Sequence, residues 1–389
     1  MNSKDFLISN LSKQVEFLKN GLAPVVPYFF TTLEIELSNF CNLDCPFCYT
    51  SSLTRKRLLF PFEAYKKLVD YMDGKKLKPR ISFSGDGEMF IHKQILDFVE
   101  YAKERDFHVQ IINNGTLCTP EKSKALIKMG LDRIQFSVDS IKKESYEKSR
   151  RQKGNGNGKN FFESVRLNVL EYIRLNYEFG EPTNISIMSV QTEENKKESE
   201  AFKNYWYQFP IHNVFLSPLY TLAGNSVINF EEARRIQYTG GIEGKPVCVS
   251  PFVLLCIKVD GKVLACTHDS DAVFPIGNII ENGDAFDSTK NGEKIDRTIA
   301  IDKLWNNERV QNLRKGLLRG ELDYFKTIGH DCISCNCPIE GGSIEEYQKG
   351  KDSSKITKIW ESMNREDKKI DLNNDKYLNL VKELDTLKR

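Results

Sequence analysis

Three cysteines stand in one short run, Cys41-Asn-Leu-Asp-Cys45-Pro-Phe-Cys48-Tyr. Their spacing, C-x3-C-x2-C, brings three thiolates into a single loop. A 4Fe–4S cluster is held in full by four cysteines, one for each iron. A loop with three cysteines therefore leaves one iron open, and the run predicts a cluster that binds a ligand other than protein.

A zinc site is the alternative interpretation of this run. Zinc would need a fourth Cys or His nearby, and none lies close in sequence. The other cysteines form two further groups, 248/256/266 and 332/335/337, with Cys118 alone. Disulfide frameworks are typical of small secreted domains, so in a chain of 389 residues these groups indicate metal or iron–sulfur sites.

The composition is that of an ordinary globular protein, with 40% hydrophobic and 28% charged residues and a net charge of +2. There is no clustered basic excess that would indicate nucleic-acid binding. The start lacks the pattern of a secretory signal, and the longest apolar stretches are too short to cross a bilayer. We therefore expect a cytoplasmic protein, with no nucleic-acid partner and no membrane partner.

Short apolar runs alternate with helical patterns through the first half of the chain. We predict strands at Thr32–Leu37, Arg80–Phe83, His108–Ile112, Arg133–Val138, Asn184–Val190 and Asn213–Leu216. We predict helices at Pro61–Asp73, Gln94–Arg105, Glu121–Met129, Asn160–Tyr177 and Lys196–Gln208. Six β–α units in series favour a parallel sheet, whose chemistry lies at the strands' carboxyl ends. The three cysteines directly follow the first strand, at that end.

The pattern changes in the second half of the chain. Val253–Val259 and Lys262–Cys266 flank Asp260-Gly261, which is typical of a hairpin turn. A helix is expected at Leu304–Leu318, followed by Cys332-Ile-Ser-Cys335-Asn-Cys337. We predict four parts: an N-terminal helical extension (1–30), a core (31–225), a cysteine-rich domain (240–342) and a C-terminal helical tail (343–389).

The cysteine loop after a first strand, with Phe47 before the third cysteine, resembles the radical S-adenosylmethionine (radical SAM) superfamily. The resemblance implies an α/β fold with a partial (β/α)6 TIM-like barrel. It implies a 4Fe–4S cluster on Cys41, Cys45 and Cys48, with S-adenosylmethionine on the open iron. One electron, from a donor such as flavodoxin or ferredoxin, would cleave the cofactor to a 5′-deoxyadenosyl radical that takes hydrogen from a substrate.

Other residues match the family's cofactor-binding positions in order along the chain. Gly85, Gly87 and Glu88 resemble its glycine-rich GGE segment, although Asp86 stands between the glycines and Met89 where proline is usual. The resemblance implies that this segment contacts the methionine amino group and that Phe47 packs on the adenine. Further cofactor contacts are implied after the third and fourth strands, at Asn114, Ser137, Asp139 and Arg150.

The later cysteines resemble the SPASM/twitch auxiliary-cluster domains of the same superfamily, which implies a small α+β domain. Cys248, Gly261 and Cys266 match the C-x9–15-G-x4-C pattern, and Cys332-x2-Cys335 matches its closing pair. Since no cysteine follows Cys337, the resemblance implies one auxiliary 4Fe–4S cluster, on Cys248, Cys266, Cys332 and Cys335. A structural zinc site with these four thiolates is the alternative.

Three cysteines have no assigned ligand role. If Asp260-Gly261 is a two-residue turn, residue 255 faces Cys266, and Cys256 points away from it into the core; a bulge would overturn this. Cys118 is expected to be a buried or incidental thiol. For Cys337 four interpretations stay open: a substitute ligand, a pocket-lining residue, a hydrogen donor, or no role.

The sequence supports several functions that differ in substrate. We expect a radical SAM oxidoreductase that dehydrogenates a small polar molecule, similar to a sugar or an aminocyclitol, in a biosynthetic reaction assisted by the auxiliary cluster. The alternatives are a maturase that crosslinks or oxidises a ribosomal peptide, a radical epimerase with a cysteine hydrogen donor, and a non-enzymatic metal scaffold. No residue is assigned a catalytic role beyond Cys337 as the candidate donor.

Overall fold

A computed structural model describes residues 2–20, 23–151, 161–193, 195–217, 219, 248, 250–280, 300–319, 321, 323 and 371–388. Among these residues one nine-stranded sheet runs in the order β6-β5-β4-β3-β2-β1-β7-β8-β9. Its strands are β1 (Thr32–Ile35), β2 (Arg80–Phe83), β3 (Val109–Asn113), β4 (Arg133–Ser137), β5 (Asn184–Val190), β6 (Asn213–Ser217), β7 (Leu254–Ile257), β8 (Lys262–Leu264) and β9 (Gly277–Asn278).

The described helices alternate with the first strands. They are α1 (Ser3–Asn20), α2 (Phe62–Gly74), α3 (Ile95–Lys103), α4 (Pro120–Lys128), α5 (Lys143–Ser149), α6 (Phe161–Glu178), α7 (Ser199–Tyr207), α8 (Ser250–Val253), α9 (Ile301–Leu304), α10 (Glu308–Arg319) and α11 (Asp375–Lys388). The six predicted strands are all present, and the five predicted helices lie within a few residues of their expected bounds. The helix predicted at Leu304–Leu318 is divided between α9 and α10.

Strands β1 to β6 pair in parallel, which confirms the predicted partial barrel. β7 then pairs in parallel with the free edge of β1, and β8 and β9 continue the sheet antiparallel. The cysteine-rich region therefore extends the same sheet. It adds its strands at the edge formed by β1, the strand that precedes the cysteine loop. The predicted domain bounds at 225 and 240 fall outside the described residues and stay predictions.

The outer face of the sheet is apolar because every second residue packs against the helices. Leu33, Ile81, Val109, Ile134 and Ile185 are 0% exposed and belong to one core shared with the helices. On α6, Val165, Val169 and Ile173 are also fully buried, as their four-residue spacing predicts.

The inner face of the barrel is polar. In a parallel sheet, paired residues point to the same side, and alternate residues of one strand do so too. Glu34 pairs with Ser82, and Ser82 pairs with Gln110, so these three side chains share one side of the sheet. Gln110 pairs with Arg133, and Gln135 lies two residues further along the same strand, so it points to that side too. Ser186 pairs with Gln135 and completes the set. We call Glu34, Ser82, Gln110, Gln135 and Ser186 the lumen face.

The hairpin between β7 and β8 differs from the predicted turn. Cys256 pairs with Leu264, and Ile257 with Val263, so the loop has one residue more than a two-residue turn. Gly261 supplies the required left-handed conformation, with φ +82°. The register shifts by one residue, so Cys256 shares a face with Leu264, the last residue of β8. The predicted two-residue turn was therefore wrong, and with it the reason for expecting Cys256 to point away from Cys266. The prediction that Cys256 is a core residue agrees with its burial beside Leu264 and Ala272.

The C-terminal helix α11 packs along α6. Arg166 pairs with Glu383, Lys388 Nζ lies 2.6 Å from Glu171 Oε1, and the Tyr177 and Tyr377 rings stack at 4.9 Å. These contacts attach the end of the chain to the outside of the barrel. None of the helices in the described segments has both the length and the apolar character needed to span a bilayer.

Candidate active site

The cysteine loop begins just beyond β1, at the carboxyl end of the sheet. Cys45 is buried, and Cys41 and Cys48 are half-buried. The Cys48 N–H donates to the Cys45 carbonyl at 3.0 Å, which folds the loop into a turn. The charges of Cys41 and Cys48 both act on Cys45, so the structure brings together the three thiols that the sequence predicts as ligands.

Hydrogen-bond donors point at two of these sulfurs. The Leu43 N–H lies 3.4 Å from Cys41 Sγ, and the Asn114 amide nitrogen lies 3.9 Å from it. Arg150 Nη1 lies 4.0 Å from Cys45 Sγ. Donors around ligand sulfurs stabilise the negative charge of an iron-bound thiolate, so these contacts fit a cluster held by cysteine sulfurs.

As thiols without iron, Cys41 and Cys45 favour the neutral form. Burial raises the pKa of Cys41 to about 11 and that of Cys45 to about 12, with Arg150 acting in the opposite direction. Within the described residues, no three His, Cys, Asp or Glu side chains converge closely enough to hold a single metal ion. A cluster places each cysteine on a different iron, so it accommodates ligands that lie farther apart.

Glu88 lies deep beside the cysteine loop and is 2% exposed. Its Oε1 accepts from the Phe90 N–H at 3.0 Å, and its Oε2 accepts from the Asn114 N–H at 2.8 Å. Burial raises the pKa of Glu88 to about 7, against the lowering effect of those two bonds. The carboxyl thus joins the ends of β2 and β3 at the mouth of the barrel.

The glycines of the Ser84–Glu88 segment allow a close approach to the loop after β1. A Cβ on Gly87 would lie 2.2 Å from the Ser38 carbonyl oxygen and 2.6 Å from that of Phe40. A Cβ on Gly85, where φ is +146°, would lie 2.8 Å from Glu36 Cγ. Each of these two positions therefore requires glycine, and the segment packs directly against the chain between β1 and the cysteine loop.

Arg150 and Asp139 bind each other across the far side of the cysteine loop. Arg150 Nε lies 2.6 Å from Asp139 Oδ2, and the two side chains are 9% and 0% exposed. The guanidinium also lies 5.5 Å from the centre of the Phe47 ring. Ser137 ends β4 and is buried. Of these predicted cofactor contacts, Arg150 lies against the cysteine loop at Cys45 and Phe47 and is paired with Asp139.

The predicted auxiliary ligands are described only in part. Cys248 and Cys266 are half-buried, and Cys266 lies near enough to Cys256 to raise its pKa, after the larger effect of burial. Cys332, Cys335 and Cys337 lie outside the described residues.

Sequence reasoning missed a buried group of opposite charges beside the cysteine loop. We call Glu36, Arg55, Asp86 and Lys258 the four-charge network; their side chains are between 1% and 13% exposed. Two of them gave a signal in the sequence: Glu36 and Lys258 stand between apolar neighbours in predicted strands. A charge at such a position needs a buried partner, but the sequence does not identify the partner.

Comparison with known proteins identifies the part of the chain that carries this site. Residues 35–200 match the model of the Radical SAM superfamily. A tungsten-containing aldehyde ferredoxin oxidoreductase cofactor-modifying protein of Pyrococcus furiosus is 31% identical over 109 residues, 28% of this chain and 31% of that protein. A probable GTP 3′,8-cyclase of Pyrococcus horikoshii is 24% identical over 285 residues, 65% of this chain and 88% of that protein.

A solved structure shares the fold. The crystal structure of Streptococcus suis SuiB bound to precursor peptide SuiA is 15% identical, with a TM-score of 0.51, covering 85% of this chain and 80% of that one. The chain spans less than half the length of two of the curated relatives it matches: 31% of the Pyrococcus furiosus protein and 41% of a protein of Methanocaldococcus jannaschii.

Proposed function

We propose that this chain, whose residues 35–200 form a radical SAM superfamily domain, binds a 4Fe–4S cluster through Cys41, Cys45 and Cys48 and S-adenosylmethionine at its open iron. When bound and reduced, the pair would supply an electron that cleaves the sulfonium and a radical that takes a hydrogen atom from substrate. The observation that carries the proposal is one loop at the carboxyl end of β1 that holds all three cysteines, with the Leu43 N–H directed at Cys41 Sγ and Arg150 at Cys45 Sγ.

The chain's own residues would bind and orient the cofactor. The Gly85–Glu88 segment offers backbone close to the cysteine loop, and Phe47 offers a ring face beside Arg150. Asn114 holds its side chain between Cys41 and Asn42. We assign these residues, with Ser137, Asp139 and Arg150, to the cofactor side of the site.

The substrate side would be the lumen face. Its side chains are hydroxyls, amides and a carboxylate, which match the hydroxyl and amino groups of a sugar or an aminocyclitol. Gln110 and Ser186 are each 1% exposed, and Gln110 Oε1 and Ser186 Oγ find no hydrogen-bond partner among the described residues. Buried polar atoms are normally paired, so these atoms favour a polar ligand over an apolar one.

We therefore favour the dehydrogenation of a small polar substrate, with an auxiliary cluster on Cys248, Cys266, Cys332 and Cys335 as the second electron acceptor. A peptide substrate would instead need an open groove for an extended chain. An epimerase would need a thiol donor in the lumen. Cys118 lies in the core with its sulfur 3.6 Å from Ser123 Oγ, whereas Cys256 pairs with Glu34 and so lies on the side of the lumen face, which makes it the donor that this alternative would use.

The first test is cofactor cleavage. Anaerobically reconstituted protein, reduced with dithionite in the presence of S-adenosylmethionine, should release 5′-deoxyadenosine, measured by mass spectrometry. Cys45→Ala should abolish the product, and Cys118→Ala is the matched control that should retain it. Wild-type protein that holds iron but forms no 5′-deoxyadenosine would refute the proposal.

The second test concerns the substrate and the auxiliary cluster. Deuterium should pass into 5′-deoxyadenosine from a ring-deuterated aminocyclitol or sugar and not from deuterated peptides. Iron analysis should give about eight irons per chain for two clusters and about four for one. Transfer from peptides alone, or about four irons in wild type, would overturn the substrate class or the second cluster respectively.

A further inference from the structure

The four-charge network is closed and neutral. Arg55 binds Glu36 with two parallel bonds, Nη1–Oε2 at 2.9 Å and Nη2–Oε1 at 2.8 Å. Its Nη2 also lies 3.1 Å from Asp86 Oδ2, which Lys258 Nζ approaches to 2.6 Å. Two carboxylates and two cations thus balance one another in a region without solvent.

Each member comes from a different part of the chain. Glu36 follows β1, Arg55 follows the cysteine loop, Asp86 lies in the glycine segment after β2, and Lys258 follows β7. The network therefore joins the loop that carries the three thiols to the strand that begins the cysteine-rich region.

Asp86 connects the network to the third cysteine. Its carbonyl accepts a hydrogen bond from the Thr50 hydroxyl, and Thr50 Oγ1 lies 3.0 Å from Cys48 Sγ. On its other side, Asp86 Oδ1 accepts from the Ser270 hydroxyl at 2.7 Å. A chain of direct contacts thus runs from Cys48 to Lys258 and Ser270.

A second set of contacts holds the same two regions together. The Tyr49 hydroxyl donates to Asp271 Oδ2 at 2.6 Å, and the Thr54 N–H donates to Asp271 Oδ1 at 2.8 Å. Arg55 Nε donates to the Ser270 carbonyl at 2.5 Å. The segment that follows Cys48 is therefore bound to residues 270 and 271 at both of its ends.

We propose that Asp86 and Lys258 are positioning residues, through which the region after β7 fixes the Gly85–Glu88 segment and Cys48 in the geometry that cofactor binding requires. The inference rests on the proposed function. Backbone contacts between this segment and the cofactor would be possible with a glycine at position 86. The Asp86 carboxylate is needed for a different contact, the ion pair with Lys258. Burial of four charges is costly unless all are paired, which makes the arrangement sensitive to the loss of any member.

The test is a double-mutant cycle on reconstituted full-length protein. Lys258→Met and Asp86→Asn should each weaken S-adenosylmethionine binding by at least about tenfold in equilibrium dialysis. The double variant Lys258→Met/Asp86→Asn should bind within about threefold of the weaker single variant, because both residues act through the same contact. Losses that add in the double variant would show that the two residues act independently. Lys66→Met, which removes a surface ion pair with Glu63, is the matched control.

A purely structural role would lower stability without moving the site. The electron paramagnetic resonance signal of the reduced cluster should change on addition of S-adenosylmethionine in wild type and change less in Lys258→Met at equal iron content. Unchanged affinity and signal in both single variants would overturn the inference.

A readout without iron separates this inference from the proposed function. In full-length protein before reconstitution, amide hydrogen exchange over residues 45–52 should be faster in Lys258→Met than in wild type. If wild type forms no 5′-deoxyadenosine, the proposed function fails, and the exchange measurement alone tests the positioning role. Equal exchange rates over residues 45–52 in Lys258→Met and wild type would overturn that role.

Discussion

The barrel holds two sets of buried polar side chains, and they differ in how they are paired. In the four-charge network, every charge has an opposite charge within 3.1 Å. On the lumen face, Gln110 Oε1 and Ser186 Oγ have no partner among the described residues. All of these residues except Arg55 lie on strands of the same sheet or within three residues of a strand end, and both sets are largely buried, so the main difference between the two sets is their pairing.

The difference separates positioning from binding. A closed network gains from each of its bonds, and the loss of one member leaves a buried charge without compensation. An open hydrogen-bonding atom costs stability in the free protein, and a ligand that pairs with it removes that cost. We therefore expect substitutions in the network to lower stability and substitutions on the lumen face to affect substrate binding.

The largest effect should come from breaking the network at Glu36. Glu36→Gln removes the charge that pairs with Arg55, so the guanidinium keeps only Asp86, and the loss of unfolding free energy should be about 3–5 kcal/mol. Urea denaturation of the protein without iron measures it. Glu63→Gln is the control; Glu63 is 75% exposed and pairs with Lys66, and its loss should cost less than about 1 kcal/mol. Equal effects at the two positions would contradict the comparison.

Glu88 is intermediate between the two sets: its carboxylate accepts from two N–H groups, and no cation of the described segments forms a hydrogen bond with it. Its folded pKa of about 7 lies above the ordinary value of 4.5, so the folded state holds the proton more tightly. The stability that this group contributes is present at low pH and is lost as pH rises through 7. Between pH 5 and pH 8 the unfolding free energy should fall by about 2–3 kcal/mol more in wild type than in Glu88→Gln. Parallel pH profiles of the two proteins would show that Glu88 is ionised in the folded state at pH 5.

Gly87 tests how tightly the glycine segment fits between the network and the cysteine loop. In Gly87→Ala the new Cβ would meet the Ser38 and Phe40 carbonyls, so the backbone must move, at a cost of about 1–3 kcal/mol. Gly74→Ala is the matched control, since nothing lies within 4 Å of a Cβ there. Gly87→Ala should also weaken S-adenosylmethionine binding in dialysis, and Gly74→Ala should not.

The sequence predicts local features of this molecule better than its distant pairings. The strands follow from apolar runs such as Arg133–Val138, and the cysteine loop follows from its spacing. The predicted hairpin register was wrong because the loop has one residue more than a two-residue turn. Leu264, and not Ala265, therefore lies opposite Cys256. The network escaped prediction because its members are far apart in the chain, and a charge in a strand predicts only that a partner exists.

The smallest effect should be found at two serines of β5 that are equally buried. Ser186 and Ser189 are each 1% exposed. The Ser189 hydroxyl donates to the Asp139 carbonyl at 2.9 Å, whereas Ser186 Oγ has no hydrogen-bond partner in the described part of the chain. Ser189→Ala should cost about 1 kcal/mol, whereas Ser186→Ala should be neutral or slightly stabilising, within about 0.5 kcal/mol. Deuterium transfer from substrate should show the opposite order, with the larger loss in Ser186→Ala. If Ser186→Ala lowers stability as much as Ser189→Ala and leaves transfer unchanged, the lumen face is a packed polar core and the substrate binds elsewhere.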